Sequence, residues 1–281
     1  MSTFETPQPI LAVIDVVVAD VRIRAGDRDT TTVEVAPSDP ANPEDVRAAE
    51  QTRVEYTPPQ LLVKTPKLRS WSIRSTGGSI DVTIELPAGS RVHGGGSVAS
   101  FDSDGPLGES RIKTGLGDVR LDRVETLELK TGAGDIDVAV VTGRADITTG
   151  SGDVRVRELG DGAVIKNSNG ATWVGAAAGD LRLNAANGSI AVEKSGASVV
   201  AKSANGDVRL GEVVRGSVVL ETKMGDLEVG VPEGTAAWLD VRSTAGRVHN
   251  SLDSAQAPEG SAETAEVRAR TVIGDILIRR A

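Results

Sequence analysis

Apolar and polar residues alternate with a period of two over most of this chain, the pattern of a strand with one face buried. In "ITTGSGDVRVRELGDG", residues 147–162, Ile147, Val154 and Val156 sit between polar neighbours, and a Gly-Ser-Gly-Asp turn breaks the run. The same arrangement recurs along the chain. The glycine before the aspartate, or its equivalent, stands at Gly117, Gly134, Gly152, Gly170, Gly188, Gly206 and Gly225, in steps of 17, 18, 18, 18, 18 and 19 residues. Looser copies extend the series to Gly96 and Gly78 upstream and to Gly246 and Gly274 downstream. A second glycine column, Gly143, Gly162, Gly179, Gly196, Gly216 and Gly234, lies about halfway between. Each period therefore predicts two short strands and two glycine corners.

The apolar positions keep register with the first glycine. Five places before it stand Ile112, Leu129, Ile147, Ile165, Leu183, Ala201, Leu220 and Val241. Seven places before it stand Leu127, Ala145, Ala163, Leu181, Val199, Val218 and Leu239. Two and four places after it come Val119 with Leu121, Ile136 with Val138, Val154 with Val156, and Val208 with Leu210. These side chains face inward, and the mostly charged or polar residues between them face out. An antiparallel meander would allow the alternation. Only stacked coils favour the same residue type at the same register in every period, because one coil cannot bury its own apolar face. The expected fold is all-β, a single-stranded parallel β-helix (β-solenoid) with coils of about 18 residues, strands stacking at about 4.8 Å, and an irregular N-terminal β cap.

Composition narrows the interior. Aromatic residues make up only 2 % of the 281 positions, so the core is built from Val, Ile, Leu and Ala, as a thin stack of similar layers requires. The net charge of −9, from 31 basic and 40 acidic residues, argues against non-specific nucleic-acid binding. Without cysteine the chain has no disulfide, thiolate metal site or cysteine nucleophile. The apolar run from Ile10 to Val18 is interrupted by Asp15 and preceded by Glu5 rather than by basic residues. It reads as a buried strand, not a signal peptide, and no stretch reaches the ~18–20 apolar residues of a membrane span. The expected location is cytoplasmic.

Five segments are expected. Residues 1–9 are a flexible lead-in, and 10–90 an N-terminal β cap continuous with the solenoid. Residues 91–249 form the regular repeats, 250–266 a polar loop excursion, and 267–281 a terminal strand and cap. "APSDPANPED", residues 36–45, reads as a Pro/Asp-rich surface loop within the cap.

The Gly-Asp corners are the first candidates for chemistry. Gly117, Asp118, Gly134, Asp135, Gly152, Asp153, Gly206, Asp207, Gly225 and Asp226 repeat one register. A catalytic residue is not expected in so many copies. Glycine supplies the tight corner and aspartate bonds nearby amides, so the set reads as a structural corner ladder. Calcium at stacked carboxylates such as Asp135 and Asp153 is the competing reading. Against it, calcium β-rolls repeat every nine residues and do not place Asp directly after the Gly. Phosphate binding lacks its motif, since Arg155 stands where a third glycine belongs and no Gly-Lys-Ser/Thr follows. No metal, cofactor or catalytic residue is expected.

Two further columns flank the corners. Thr114, Thr131, Thr149, Asn167, Ser203, Thr222, Ser243 and Thr271 point inward and are expected to satisfy turning backbone. Lys113, Lys130, Lys166, Lys202, Arg242 and Arg270 face out. Lys113, Lys130 and Lys202 have the spacing to pair with Asp118, Asp135 and Asp207. Trp173 is an outward residue beside Arg155, either a cation–π pair or the centre of a partner patch. Trp71 and Trp238 are expected to plug the core near its ends. His93 and His249 read as surface or turn residues.

The repeated "TGxGD[VI]x[VL]" turns, with "ELPAGSRV", "GVPEGTAAWLDVRSTAGRV" and the strand-rich lead-in, resemble the bacterial putative-adhesin family over residues 8 to 280. That family is a β-strand-repeat domain of unknown function, related to the head domain of autotransporter adhesins. The resemblance implies a single-domain parallel β-helix without assigned catalytic residues. The function expected is a non-enzymatic scaffold or protein-interaction module. Competing readings are a structural protein stacking end to end and a polysaccharide-binding or polysaccharide-active β-helix. The expected partner is another protein or a second copy, with no nucleic acid and no membrane insertion.

Overall fold

The computed structural model describes residues 1–66, 78–252 and 263–281. The chain is all-β apart from one short helix, and its main strands wind in parallel coils. Its contacts divide it into two compact units, Met1–Ala139 and Val140–Ala281.

The first unit contains β1 (Ser2–Glu5), β2 (Leu11–Gly26), β3 (Thr30–Pro37), α1 (Pro43–Gln51), β4 (Arg53–Thr57), β5 (Gln60–Lys64), β6 (Ile80–Pro87), β7 (Arg91–Leu116) and β8 (Val119–Ala133). β9 (Ile136–Val141) spans the division. The β-branched run of β2 buries Ala12, Ile14, Val16, Ala19, Val21 and Ile23, so this strand lies inside the stack. One edge of β2 pairs in parallel with β7, from Leu11↔Arg91 to Arg24↔Asp104. Its other edge pairs in parallel with β5 and then with β6. β7 continues into parallel pairing with β8. The outer coil is closed by antiparallel strands: β4 covers β5, β3 covers β6, and β1 pairs with β3. Such covering takes up the outer edges of β5 and β6 with antiparallel partners.

Two expectations in this unit are corrected. Residues 1–9 are not wholly a flexible lead-in, because Ser2–Glu5 pairs with β3 and the Phe4 ring lies 5.3 Å from that of Tyr56. Part of the Pro/Asp-rich loop is the start of α1. The Asn42 side chain accepts from the Glu44 amide, Pro43 occupies the first turn, and Glu44 and Asp45 sit at the positive helix end. The buried Asp45 carboxylate then accepts from the Ser79 amide at 2.9 Å and the Asp39 amide at 3.1 Å, tying the helix to the lead into β6.

The second unit alternates strands between two parallel ladders. One carries β10 (Ala145–Ser151), β12 (Ala163–Asn169), β14 (Leu181–Asn187), β16 (Val199–Asn205), β18 (Gly216–Met224), β20 (Ala236–Ala245) and β22 (Thr264–Ile273). The other carries β11 (Val154–Leu159), β13 (Thr172–Ala177), β15 (Ile190–Ser195), β17 (Val208–Val213), β19 (Leu227–Val231), β21 (Val248–Asn250) and β23 (Ile276–Arg280). The inward column Ile147, Ile165, Leu183, Ala201 and Leu220 stacks residue on residue and is buried throughout. The buried layers of this unit are aliphatic, whereas in the first unit the ring of Phe101 is fully buried, an exception to the aliphatic core that the composition implied.

The spatial order departs from the sequence order at the last coil. β22 pairs with β18 on one edge and β20 on the other, and β23 likewise lies between β19 and β21. The inward column therefore runs Leu220, Ala269, Val241, not Leu220 then Val241. Residues 267–281 are thus not a terminal strand and cap; the outermost coil is 236–250. The first unit has the same inversion, since β2 lies between β5–β6 and β7. Of the polar excursion 250–266, residues 253–262 lie outside the described residues, and Thr264 already belongs to β22.

Candidate interaction surface

At each corner a glycine lets two coils meet. Gly206 has φ +145°, and a Cβ there would overlap the Gly188 carbonyl of the coil beneath, so both conformation and space demand glycine. The following aspartate reaches along the stack. Asp118 Oδ1 accepts from the Asp135 amide at 2.9 Å, Asp153 Oδ1 from the Ala171 amide at 2.8 Å, and Asp207 Oδ1 from the Asp226 amide at 2.8 Å. Asp226 then accepts from the Asp275 amide and Asp275 from the Arg247 amide, both at 2.7 Å, following the inverted coil order. Positive-φ glycines precede Asp118, Asp135, Asp153, Asp207 and Asp226, at Gly117, Gly134, Gly152, Gly206 and Gly225. Among the described residues no cluster of three or more His, Asp or Glu side chains is arranged to hold a metal ion.

The inward hydroxyl and amide column meets the same corners. Thr114, Ser203, Thr222, Ser243 and Thr271 each donate to the glycine or alanine carbonyl of the neighbouring coil at 2.8 to 3.1 Å. Asn167 donates to the Gly152 and Gly170 carbonyls, both at 3.0 Å. These bonds satisfy buried carbonyls that the turning backbone cannot pair.

Lys202 pairs with a partner other than the expected Asp207. Lys202 pairs with Glu221 at 2.7 Å, its direct cross-strand neighbour, and Lys130 with Glu128 at 2.7 Å. For Lys202 the opposite charge directly across the strand pair is closer than a corner five residues away, and Asp207 already accepts the Asp226 amide; Lys130 and Glu128 share one face of β8. Lys130, first by a side-chain hydrogen bond and then by its charge, holds the Glu128 carboxyl below the usual range. At the far end the Arg247 amide does the same for Asp275, against the opposing effect of burial and with help from the Arg247 guanidinium. A depressed pKa in the folded state means this contribution is complete above the unfolded carboxyl's pKa and is lost as pH falls through the folded one. The Arg247 amide signal in an NMR titration is therefore expected to shift with a midpoint below the free-aspartate value of about 3.9. A midpoint at or above that value would remove the assignment.

Trp173 lies on β13 with its ring 5.7 Å from the Arg155 guanidinium, and its Nε1 donates to Glu193 Oε1 at 3.1 Å. Gly175, two residues on, leaves room beneath the ring. The pair with Arg155 is formed, and it holds the tryptophan against its own sheet.

The terminal coil differs from the rest. Trp238 does not plug the core: it is 59 % exposed. Its parity explains the correction, because Trp238 shares the outward face of β20 with Asp240 and Arg242. Trp71 lies outside the described residues. The apolar side chains Met224, Val248, Val272 and Ile273 are also exposed in the last coils. One corner column shows the change. It begins with Asn169, Asn187 and Asn205, whose amides bond one another at 2.8 to 2.9 Å, and continues as Met224, Ile273 and Ala245. The inward residues Leu239 and Val241 are only half-buried. Among the described residues no strand pairs with the outer edge of β20 or β21. Sequence reading missed Met224, Val248, Val272 and Ile273; the loss of asparagine from that corner column was the available signal.

A family model described as Toastrack DUF4097 matches residues 12–279. No curated protein matches the chain. Among solved structures, a putative adhesin from Parabacteroides merdae is 12 % identical, with 100 % of this chain and 95 % of that one covered and a TM-score of 0.41. Another from Parabacteroides distasonis is 14 % identical over 100 % and 95 % of the two chains, with a TM-score of 0.34. A putative cell adhesion protein from Clostridium sporogenes is 10 % identical over 100 % and 98 %, with a TM-score of 0.26.

Proposed function

This chain belongs to the Toastrack DUF4097 family, and from that premise we propose that it works as a non-enzymatic protein-interaction scaffold whose docking end is the terminal coil, residues 236–250. The observation that carries this reading is the group of exposed large apolar side chains on that coil and the two coils stacked next to it. Met224, Trp238, Val248, Val272 and Ile273 all lie on the last coils of the second unit. Exposed apolar side chains beside strand edges that no described strand pairs favour contact with another protein. Grooves of about 610 Å³ beside Trp238 and about 710 Å³ beside Val248 give side chains of a partner somewhere to seat.

The corner aspartates support the same reading from the other side. Asp118, Asp153, Asp207, Asp226 and Asp275 are each turned to a backbone amide along the stack, bonds that brace the faces behind the coil end. A photo-crosslinking amino acid in place of Trp238, introduced in the source organism, is expected to give a covalent protein adduct in higher yield than one in place of Trp173. Absence of any protein adduct from position 238 would overturn the reading.

A further inference from the structure

Among the described residues no strand pairs with the outer edge of β20, ten residues long with the sequence Ala-Ala-Trp-Leu-Asp-Val-Arg-Ser-Thr-Ala. An edge this long pairs readily with another strand, and the identity of that strand is constrained by the residues already on it. Resting on the terminal coil as the docking end, we propose that its partner is a second copy of this chain, joined by antiparallel pairing of β20 with its twin about a twofold axis through Val241.

Face parity removes half of the registers. Trp238, Asp240, Arg242 and Thr244 face out, while Leu239, Val241 and Ser243 face in. A register that sets odd positions against even ones would place apolar side chains on the charged face. Of the registers that keep the faces matched, those centred on residue 240 or 241 use nearly the whole strand. Centring on Asp240 sets that carboxylate against its own copy, which is unfavourable. Centring on Val241 sets Asp240 opposite Arg242 of the second copy, twice. It also sets Ala237 opposite Ala245, Leu239 opposite Ser243 and Trp238 opposite Thr244, with Trp238 diagonal to the same Arg242.

The charges within the chain are ready for that arrangement. Asp240 holds Arg270 at 3.2 Å and keeps 41 % of its side chain exposed, leaving an oxygen for a second cation. Arg242 makes no ion pair among the described residues. It also lines a groove of about 580 Å³ with Lys202, Lys223 and Arg270, where Glu221, paired with Lys202, is the one carboxylate in the lining and a second is a favourable neighbour.

The first unit shows the chain solving the same problem. There the outer coil strands β5 and β6 are each closed by an antiparallel strand, β4 and β3. Because those edges are taken, a further copy cannot stack its open coil onto them in parallel. Pairing through β20 therefore closes at two copies, the behaviour of an isologous contact.

Light scattering after size-exclusion chromatography over a hundredfold concentration range tests the assembly. The mass is expected to rise from 29.1 kDa to twice that value and stop. A monomer throughout, or growth past two copies, would overturn the proposal. Arg242→Asp puts like charges opposite one another and is expected to weaken the dimer at least about tenfold; an unchanged dimer would overturn the pairing. The absence of natural cysteine allows a second measurement of register. Val241→Cys faces its own copy across the axis, within the 4.4–6.8 Å Cα separation that a disulfide needs. It is expected to crosslink with itself on oxidation, whereas Leu239→Cys crosslinks only when mixed with Ser243→Cys. A dimer in which Leu239→Cys crosslinks with itself and Val241→Cys does not would overturn this register. A Trp238 adduct with a different protein, together with a monomer in solution, would remove the self-pairing and keep the docking end.

Discussion

Val267→Asp is expected to unfold the second unit, while Val248→Asp is expected to leave it folded. Both residues are inward apolar positions near the end of the sequence, and Val267 is the nearer to it. Their places in space are opposite. Val267 is fully buried, with Val218 on one side and Leu239 on the other, whereas Val248 is 45 % exposed on the outermost coil. A carboxylate at Val267 would be buried without a partner between two paired strands, at a cost on the order of 4 kcal/mol or more. At Val248 the same group reaches water, and the cost is expected to stay near about 1 kcal/mol. Thermal melts followed by circular dichroism compare the two. A greater loss at Val248 than at Val267 would mean that the coils stack in sequence order after all.

The second large effect is at the corners. Gly206→Ala is expected to destabilise by about 3 kcal/mol or more, because its φ of +145° suits only glycine and the new methyl group would overlap the Gly188 carbonyl. Asp207→Asn, one residue away, keeps an acceptor for the Asp226 amide and is expected to cost less than about 1 kcal/mol. Chemical denaturation of the two variants decides the matter. If the aspartate substitution proved the costlier, its charge would have a use that the amide bond does not account for.

Much of the fold was legible because one physical constraint repeats. Every interior coil must bury a small aliphatic residue between its neighbours, so Ile147, Ile165, Leu183, Ala201 and Leu220 announce their register in the sequence. Where the constraint lapses, legibility lapses too. Trp238 was misplaced because its size suggested burial, although its parity with Asp240 and Arg242 pointed outward. The helix Pro43–Gln51 was missed because "ANPED" reads as loop composition until Asn42 is recognised as its cap. The lysine pairing was misjudged because distance along the chain is a poor measure in a stack. Lys202 and Glu221 are 19 residues apart in sequence and are direct neighbours across a strand pair. The inversion of the last two coils has no local signature. Segments 236–250 and 264–280 carry the same alternation, and either could stand outermost.

That inversion bears on how such a chain is made and how it changes over generations. In a stack laid down in order, each new coil settles on the one before as it leaves the ribosome. Here 236–250 emerges first and must leave a gap, which is filled only when 264–280 follows. At the other end β2 is synthesised first, yet lies beneath strands that emerge some fifty residues later. Neither outer coil can be trimmed without exposing a strand meant to be covered, and no coil can be appended beyond the ends by simple extension. Within the second unit, duplication or loss of whole periods is therefore confined to the uniform coils that precede the inverted pair.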